Sequence, residues 1–272
     1  MTAAGSRDEW PPISRLGVVR LAVTTRAGLV RITLRDEVVP ALCSSLVQVR
    51  ACCLEHELLA TLGDREAYAA DRAVPTICAD AVSKRVAEHV AGRYLAARVL
   101  IEAGHPRDTL PAVGMSEGGA PIWPDGFVGS IAHGAQRVLA GSARLEAVSA
   151  LGVDLERVME AQTVATVSGS ICVPRELENL ERAAGNLSLA QLLTLVFSAK
   201  ESLYKALHPQ VKCFFSFSDV EARALDLAQG KIQLRLCRRL GAFAAGRAVQ
   251  ARFAFDAAHA LTAVELPARS CA

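Results

Sequence analysis

The sequence predicts an α+β protein built from two similar halves, residues 1–145 and 146–272. Three observations predict this. Strand-like runs of alternating apolar and polar residues recur at the start, in the middle and at the end of the chain. Each half carries one long helical pattern, over 78–103 and over 188–207. At 272 residues the chain is long enough for two packed units. No repeat in the sequence itself relates the halves.

Taken in order, residues 1–12 read as a lead-in that closes on Pro11 and Pro12. Within 17–39, the runs Val18 to Val23 and Val30 to Leu34 alternate as strands do. A mixed helical stretch is expected over roughly 40–62. Val82, Val86, Val90, Tyr94 and Ala97 then form the apolar stripe of the first long helix, which Gly104, His105 and Pro106 stop. The Gly- and Pro-rich segment 104–126 reads as loop. Strands are expected at Phe127–Ala132, Val138–Ser142 and Ser149–Glu156, followed by a polar helical region over 157–186. The second long helix opens with a capping box, Ser188 to Gln191, and continues on Leu189, Leu192, Leu193, Val196 and Phe197. Four more strands are expected at Phe214–Val220, Lys231–Leu236, Gln250–Phe255 and Ala260–Leu266.

With 51% hydrophobic and 21% charged residues the chain is globular rather than disordered. A net charge of +2 is too mild for general nucleic-acid binding, though a small basic pocket for a phosphorylated ligand is compatible with it. No run approaches the roughly 18–20 apolar residues of a membrane helix, and Met1 to Arg7 lacks the apolar core of a signal peptide. The expected location is cytoplasmic. The eight cysteines, Cys43, Cys52, Cys53, Cys78, Cys172, Cys213, Cys237 and Cys271, form no C-x-x-C pair and are expected to be reduced, half-buried small hydrophobes.

The chemistry begins with an anomaly. Leu193, Phe197, Glu201 and Lys205 share one helical face, so a carboxylate and an ammonium end an apolar stripe. Ser198 and Glu201 also fit a capping box, with an ion pair to Lys205 worth about 0.2–0.5 kcal/mol. A helix that begins at Ser188 puts Glu201 in its interior, where that explanation weakens. On the strand Leu151–Glu156, Val153 and Leu155 point one way, and Asp154 and Glu156 the other, with Cα atoms about 6.5 Å apart. A lone D-x-E is usually a wet strand face. Joined by Glu201, the pair makes a hard oxygen set suited to Mg²⁺, with Lys205 placed to face phosphates. Arg85, His89 and Arg93 share a face of the first long helix, beside Lys84. Gly129, Ser130 and Ile131 lead a strand into a turn at His133.

In this order the segments Lys84 to Arg93, Trp123 to His133, Gly152 to Glu156 and Phe197 to Ala206 resemble the 4′-phosphopantetheinyl transferases, nearest the branch that activates siderophore synthetases. The resemblance spans about residues 80–207. It implies a monomeric pseudo-dimer of two α+β halves with coenzyme A and Mg²⁺ in the cleft between them. It also implies transfer of the phosphopantetheine arm to a serine of an apo acyl, peptidyl or aryl carrier protein, releasing 3′,5′-ADP. On this resemblance Asp154, Glu156 and Glu201 hold the metal, Lys205 contacts the phosphates, and Glu201 is the base. His133, Arg85 and Arg93 bind the 3′-phosphate, and Lys84 and Ser130 are further coenzyme A-binding residues.

Two positions depart from the family pattern. Ala132 stands where relatives commonly have a hydroxyl, so weaker coenzyme A binding or a differently oriented Ser130 is expected; Glu117 to Pro121 lacks the usual Lys or Arg, so some loss of phosphate affinity is expected there unless Arg107 or Lys84 substitutes. Two other readings compete: a Mg²⁺-dependent phosphodiesterase, and a non-enzymatic module that binds carrier proteins.

Overall fold

The computed structural model describes residues 18–25, 28–37, 39, 42–59, 83–106, 111–134, 136–256 and 258–268. The expected lead-in over 1–12, Cys78, Val82, Arg107 and Cys271 lie outside them.

The first unit opens with β1 (Val18–Thr25), β2 (Gly28–Glu37) and β3 (Gln48–Leu59), then α1 (Ser83–Glu102). A two-stranded hairpin of β4 (Gly114–Met115) and β5 (Pro121–Ile122) leads to β6 (Phe127–Gly134) and β7 (Arg137–Arg144). The second unit runs β8 (Val148–Arg157), α2 (Ala161–Ile171), α3 (Pro174–Glu181) and α4 (Leu189–Val211). It closes with β9 (Val220–Asp226), β10 (Lys231–Leu236), β11 (Ala248–Phe255) and β12 (His259–Pro267). Two five-stranded antiparallel sheets result, ordered β1-β2-β3-β7-β6 and β8-β12-β11-β10-β9. The α+β class and the paired arrangement of sheet and long helix are thus both present.

Each sheet carries its long helix on one face. Val86, Val90, Tyr94 and Val99 of α1 pack on Ile32, Leu34, Cys52, Leu54 and Val138. Leu192, Leu193, Val196, Leu203 and Leu207 of α4 pack on Ile232, Leu234, Ala251 and Val264. The opposite faces meet each other through Ala51, Ala132, Leu139, Val153, Leu155 and Leu261. The layers therefore run helix, sheet, sheet, helix. Burying both faces of both sheets is what places strand side chains of opposite parity in different cores.

Two expectations fail for identifiable reasons. The helical reading of 40–62 is wrong over Gln48–Leu59, which is the central strand β3, paired with β2 and β7. Its Cys52 and Leu54 face α1 while Ala51 faces the second sheet, so both parities are apolar and the alternation vanishes. The strand expected at Phe214–Val220 begins only at Val220, after a 3₁₀ turn at Phe217–Asp219 in which Asp219 accepts from the Ser216 N–H. Cys213 and Cys237 are exposed rather than half-buried, and all six described cysteines are free. Among the described residues no helix is long and apolar enough to cross a membrane.

Candidate active site

One glycine decides how the site assembles. A Cβ on Gly152 would lie 1.9 Å from the Ser202 carbonyl oxygen and 2.6 Å from the Ala206 nitrogen, so only glycine lets the α4 backbone lie directly on β8. A polar seam fixes the register of that contact. Ser198 and Ser202, one turn apart, reach Thr262 Oγ1 at 2.8 and 2.6 Å. Thr262 sits directly across from Asp154 in the β8–β12 pairing. The helix is thus held so that its next turn, Glu201 to Lys205, faces the Asp154 side of the sheet.

Lys205 Nζ donates to Asp154 Oδ1 at 2.5 Å. Asp154 is only 3% exposed, and its other oxygen, Oδ2, is buried without a partner. Burial, then the charge on Asp154, push the Glu156 carboxyl up to about 7; Lys205 pulls it down and Glu201 pushes it up. Burial also raises Glu201; Lys205 opposes that shift and Asp154 adds to it. Each of the four groups therefore lies in the electrostatic field of others in the set.

No three His, Cys, Asp or Glu side chains among the described residues are arranged to hold a metal ion as they stand, and Lys205 is the cation that answers Asp154. The donor set nonetheless fits a hard divalent cation. Three carboxylates share one site, two of them raised by burial, and a buried carboxylate oxygen lacks a partner.

The basic group forms on α1 and β6. Arg85 is exposed, His89 half-buried and Arg93 buried, so the shared face descends into the protein. Arg93 Nε and His89 Nε2 are buried without partners. Burial, then the neighbouring Arg93 and His133, hold the His89 pKa down, and burial lowers Arg93. Lys84 and His133 are brought together by a residue to which the sequence reading gave no role. Glu88 Oε1 lies 3.8 Å from Lys84 Nζ, and Oε2 lies 3.6 Å from His133 Nδ1. Its signal in the sequence was present but ordinary, one carboxylate four residues after a lysine on a helix.

A cleft of about 1370 Å³ runs between the two units. Gly118 to Pro121, Trp123, Phe127 to Ile131 and Leu145 of the first unit line it, with Ser149 to Leu151, Tyr204 to Ala206, His208, Phe243 and Arg247 of the second. Of the expected site residues, Lys205 and Ser130 line it. Ser130 Oγ also accepts the Val153 N–H at 3.0 Å and is 3% exposed, so it is a joint between the units. Asp154 and Glu201 lie beyond the lining, joined to it through Lys205.

Comparisons with known proteins agree with this layout. A family model described as the 4′-phosphopantetheinyl transferase N-terminal domain matches residues 70–142, and one for the 4′-phosphopantetheinyl transferase superfamily matches residues 150–263. The 4′-phosphopantetheinyl transferase Npt of Nocardia iowensis is 34% identical over 163 residues, 60% of this chain and 68% of its own length. The chain belongs to the 4′-phosphopantetheinyl transferase superfamily. Enterobactin synthase component D of Salmonella typhimurium is 41% identical over 128 residues, 47% of this chain and 50% of that protein. That of Escherichia coli K12 is 39% identical over 132 residues, 48% and 59% of the two chains. The chain thus spans about half the length of the enterobactin synthase relatives it matches.

Set within the superfamily, the two departures separate. Ala132 is 3% exposed and packs in the core between the sheets, so a hydroxyl there would not face a phosphate group in this packing. Ala120, in the segment without a basic residue, lines the cleft. Only the second departure bears on a bound anion.

Proposed function

We propose that this chain transfers the 4′-phosphopantetheine arm of coenzyme A to a serine of an apo carrier protein. The observation that carries the reading is the seating of α4 on Gly152, which joins Glu201 and Lys205 to Asp154 and Glu156 at the edge of the cleft.

In the reaction the serine oxygen forms a bond to the phosphorus that bears the pantetheine arm. The phosphoanhydride P–O bond to the adenosine portion breaks, and adenosine 3′,5′-bisphosphate leaves. Such a transfer asks the protein for positioning and charge neutralisation rather than covalent chemistry. Asp154, Glu156 and Glu201 are the residues that would hold Mg²⁺, which when bound neutralises charge on the pyrophosphate oxygens. Lys205 lines the cleft and supplies ammonium donors for the phosphate oxygens. Glu201, its pKa raised by burial, takes the serine proton. Arg85 and Arg93, on one helical face with His89, suit the 3′-phosphate, with the unpartnered Arg93 Nε as a buried charged donor and the unpartnered His89 Nε2 and His133 beside it. Glu88 holds Lys84 and His133 at its entrance. The relatives named enterobactin synthase component D point to carriers of siderophore assembly as the first substrates to try.

The test is intact-mass analysis of an apo carrier protein incubated with the chain, coenzyme A and Mg²⁺, beside a Glu201→Ala control. A gain of one phosphopantetheine arm, lost without metal and in the variant, is expected. Release of adenosine 3′,5′-bisphosphate with no gain on any acyl, peptidyl or aryl carrier would instead indicate a phosphodiesterase.

A further inference from the structure

The stretch from Gln229 to Phe255 contains no Asp or Glu, yet it carries Lys231, Arg235, Arg238, Arg239, Arg247 and Arg252. Arg238, Arg239 and Arg247 belong to the loop between β10 and β11, which closes over the C-terminal end of α4. A Cβ on Gly241 would touch Val211 Cα at 3.8 Å, and Leu240 and Phe243 insert into the α4 core. The helix itself stops at Lys212, whose φ of 51° turns the chain and sends Phe214 outward. Phe214 is 76% exposed, the most exposed of the large hydrophobic residues described.

That ring has one aromatic neighbour among the described residues. Its centroid lies 6.0 Å from that of Tyr204, which also packs on His208 and Phe215 at 5.1 and 4.9 Å. Tyr204 and His208 line the cleft, and Tyr204 is the chain neighbour of Lys205. Lys212, two residues before Phe214, and Arg238 and Arg239 on the loop that closes over this end of α4 are exposed, as is Arg247, which also lines the cleft. Arg238 is gripped by Asp219 at 2.7 and 3.0 Å and lies within electrostatic reach of Cys213. Arg247 lies 5.1 Å over the Phe243 ring. Neither Lys212 nor Arg239 makes an ion pair among the described residues. One exposed aromatic at a helix end that also carries the unspent cations Lys212 and Arg239 has the composition of a protein-binding anchor, and its charge selects an acidic partner. Phe214, Lys212 and Arg239 lie outside the cleft lining, where a ligand held inside the cleft has no use for them. A macromolecule that must bring an acceptor group to Lys205 from outside does.

We propose that the rim of Phe214, Lys212 and Arg239 docks the protein substrate, a small carrier domain whose acidic face meets the arginine loop and whose apolar side chain covers Phe214. This rests on the transferase reading above. It deepens that reading by assigning the partner's docking surface to the end of α4, one aromatic contact from the reacting residues.

The experiment measures binding apart from catalysis. The probe is a fluorescently labelled apo acyl carrier protein whose acceptor serine is replaced by alanine, titrated with the chain and followed by anisotropy. Phe214→Ala and the double variant Lys212→Glu, Arg239→Glu are each expected to raise Kd at least about tenfold. The charge-reversed variant should also flatten the salt dependence. Coenzyme A affinity by calorimetry and the melting temperature should stay as in the unaltered chain. Unchanged Kd in both variants overturns the proposal, as does failure of the unaltered chain to bind any acidic carrier domain tried. A parallel loss of coenzyme A affinity also overturns it, by assigning the rim to the cleft. Rim-dependent binding without transfer of the arm to a serine-bearing carrier would keep the docking surface and defeat the transferase reading.

Discussion

Glu156 shows what a buried carboxylate group costs and what it is suited to. Its pKa of about 7 stands well above its ordinary value of 4.5, chiefly through burial. A raised carboxyl holds its proton more tightly in the folded chain than in the unfolded one. Its contribution to stability is therefore full below the unfolded value and is lost as pH rises through about 7. Without Mg²⁺, the melting temperature of the unaltered chain should fall between about pH 5 and pH 8 more steeply than that of Glu156→Gln. Millimolar Mg²⁺ should restore stability mainly at the upper end, because the cation competes with the proton. Equal pH slopes in the two proteins, or a Mg²⁺ effect indifferent to pH, would refute the assignment of Glu156 to a cation site. The sequence already named Asp154, Glu156 and Glu201 as a set, because each is a carboxylate where a wet or apolar position was the simpler choice. It did not reveal that Lys205 bonds Asp154, since that contact depends on how a helix crosses a strand far away in the chain.

Among the elements, α4 is the one on which the site depends. The periodicity and the Ser188 capping box make it a helix, and the box is present, with Ser188 Oγ accepting from the Gln191 N–H at 3.2 Å. The helix continues past the expected stop at residue 207, through Pro209 to Val211, closed by the Lys212 N–H on the His208 carbonyl. Gly152→Ala should destabilise the chain by about 3 kcal/mol or more, because the new methyl meets backbone rather than a movable side chain. Gly169→Ala, in α2 with nothing within 4 Å, is the control and should be neutral or stabilising by about 0.5–1 kcal/mol in urea unfolding. A wild-type midpoint in Gly152→Ala would refute the seating argument. Lys200, in the same helix, is 2% exposed and spends its charge on Glu176 at 2.8 Å and on the Ile171 and Phe217 carbonyls. Glu176 in turn accepts the Ala222 N–H, so the pair ties α3, α4 and β9 together. Lys200→Met leaves that carboxylate buried and should cost about 3–5 kcal/mol. A loss under 1 kcal/mol by the same urea method would argue that Glu176 simply takes up a proton. Helical spacing puts Lys205 on the face of Glu201 and Lys200 on another, but that Lys200 is the structural lysine is decided only by its burial against Glu176.

The whole molecule depends on how its two sheets are joined. The apolar core between them is supplemented by polar links from both directions. Ser130 accepts from Val153 at the adjoining strands, and Arg137 spans the sheets near the β6–β7 turn. Arg137 bonds Glu37 at 2.5 Å in the first unit and Asp256 in the second, and approaches His259 Nδ1 at 3.0 Å. Burial raises the Asp256 carboxyl, but the Ala258 N–H, and after it Arg137 and His259, hold it far below the usual range. Arg137→Ala should lower the unfolding free energy by about 1–3 kcal/mol, since two carboxylates lose a charged donor. Urea unfolding followed separately by a probe in each unit would test whether the loss also uncouples them. One unchanged, coincident transition would show that the apolar core alone holds the units together.

By itself the sequence determined the α+β class, both long helices, most strands of the second unit and the carboxylates and cations worth watching. Those follow from local spacing, capping chemistry and residue type, which act over a few residues. It misread β3, because a strand covered on both faces loses the alternation that marks strands. Only the tertiary structure decided that Lys205 bonds Asp154 within the field of Glu201, that Ser130 is a joint, that Ala132 faces the core, and that Glu88 gathers Lys84 and His133. The physical reason is the same in each case. These relations are contacts between elements distant in the chain, set by how closely backbones approach at Gly152 and by which face each sheet turns to its neighbour.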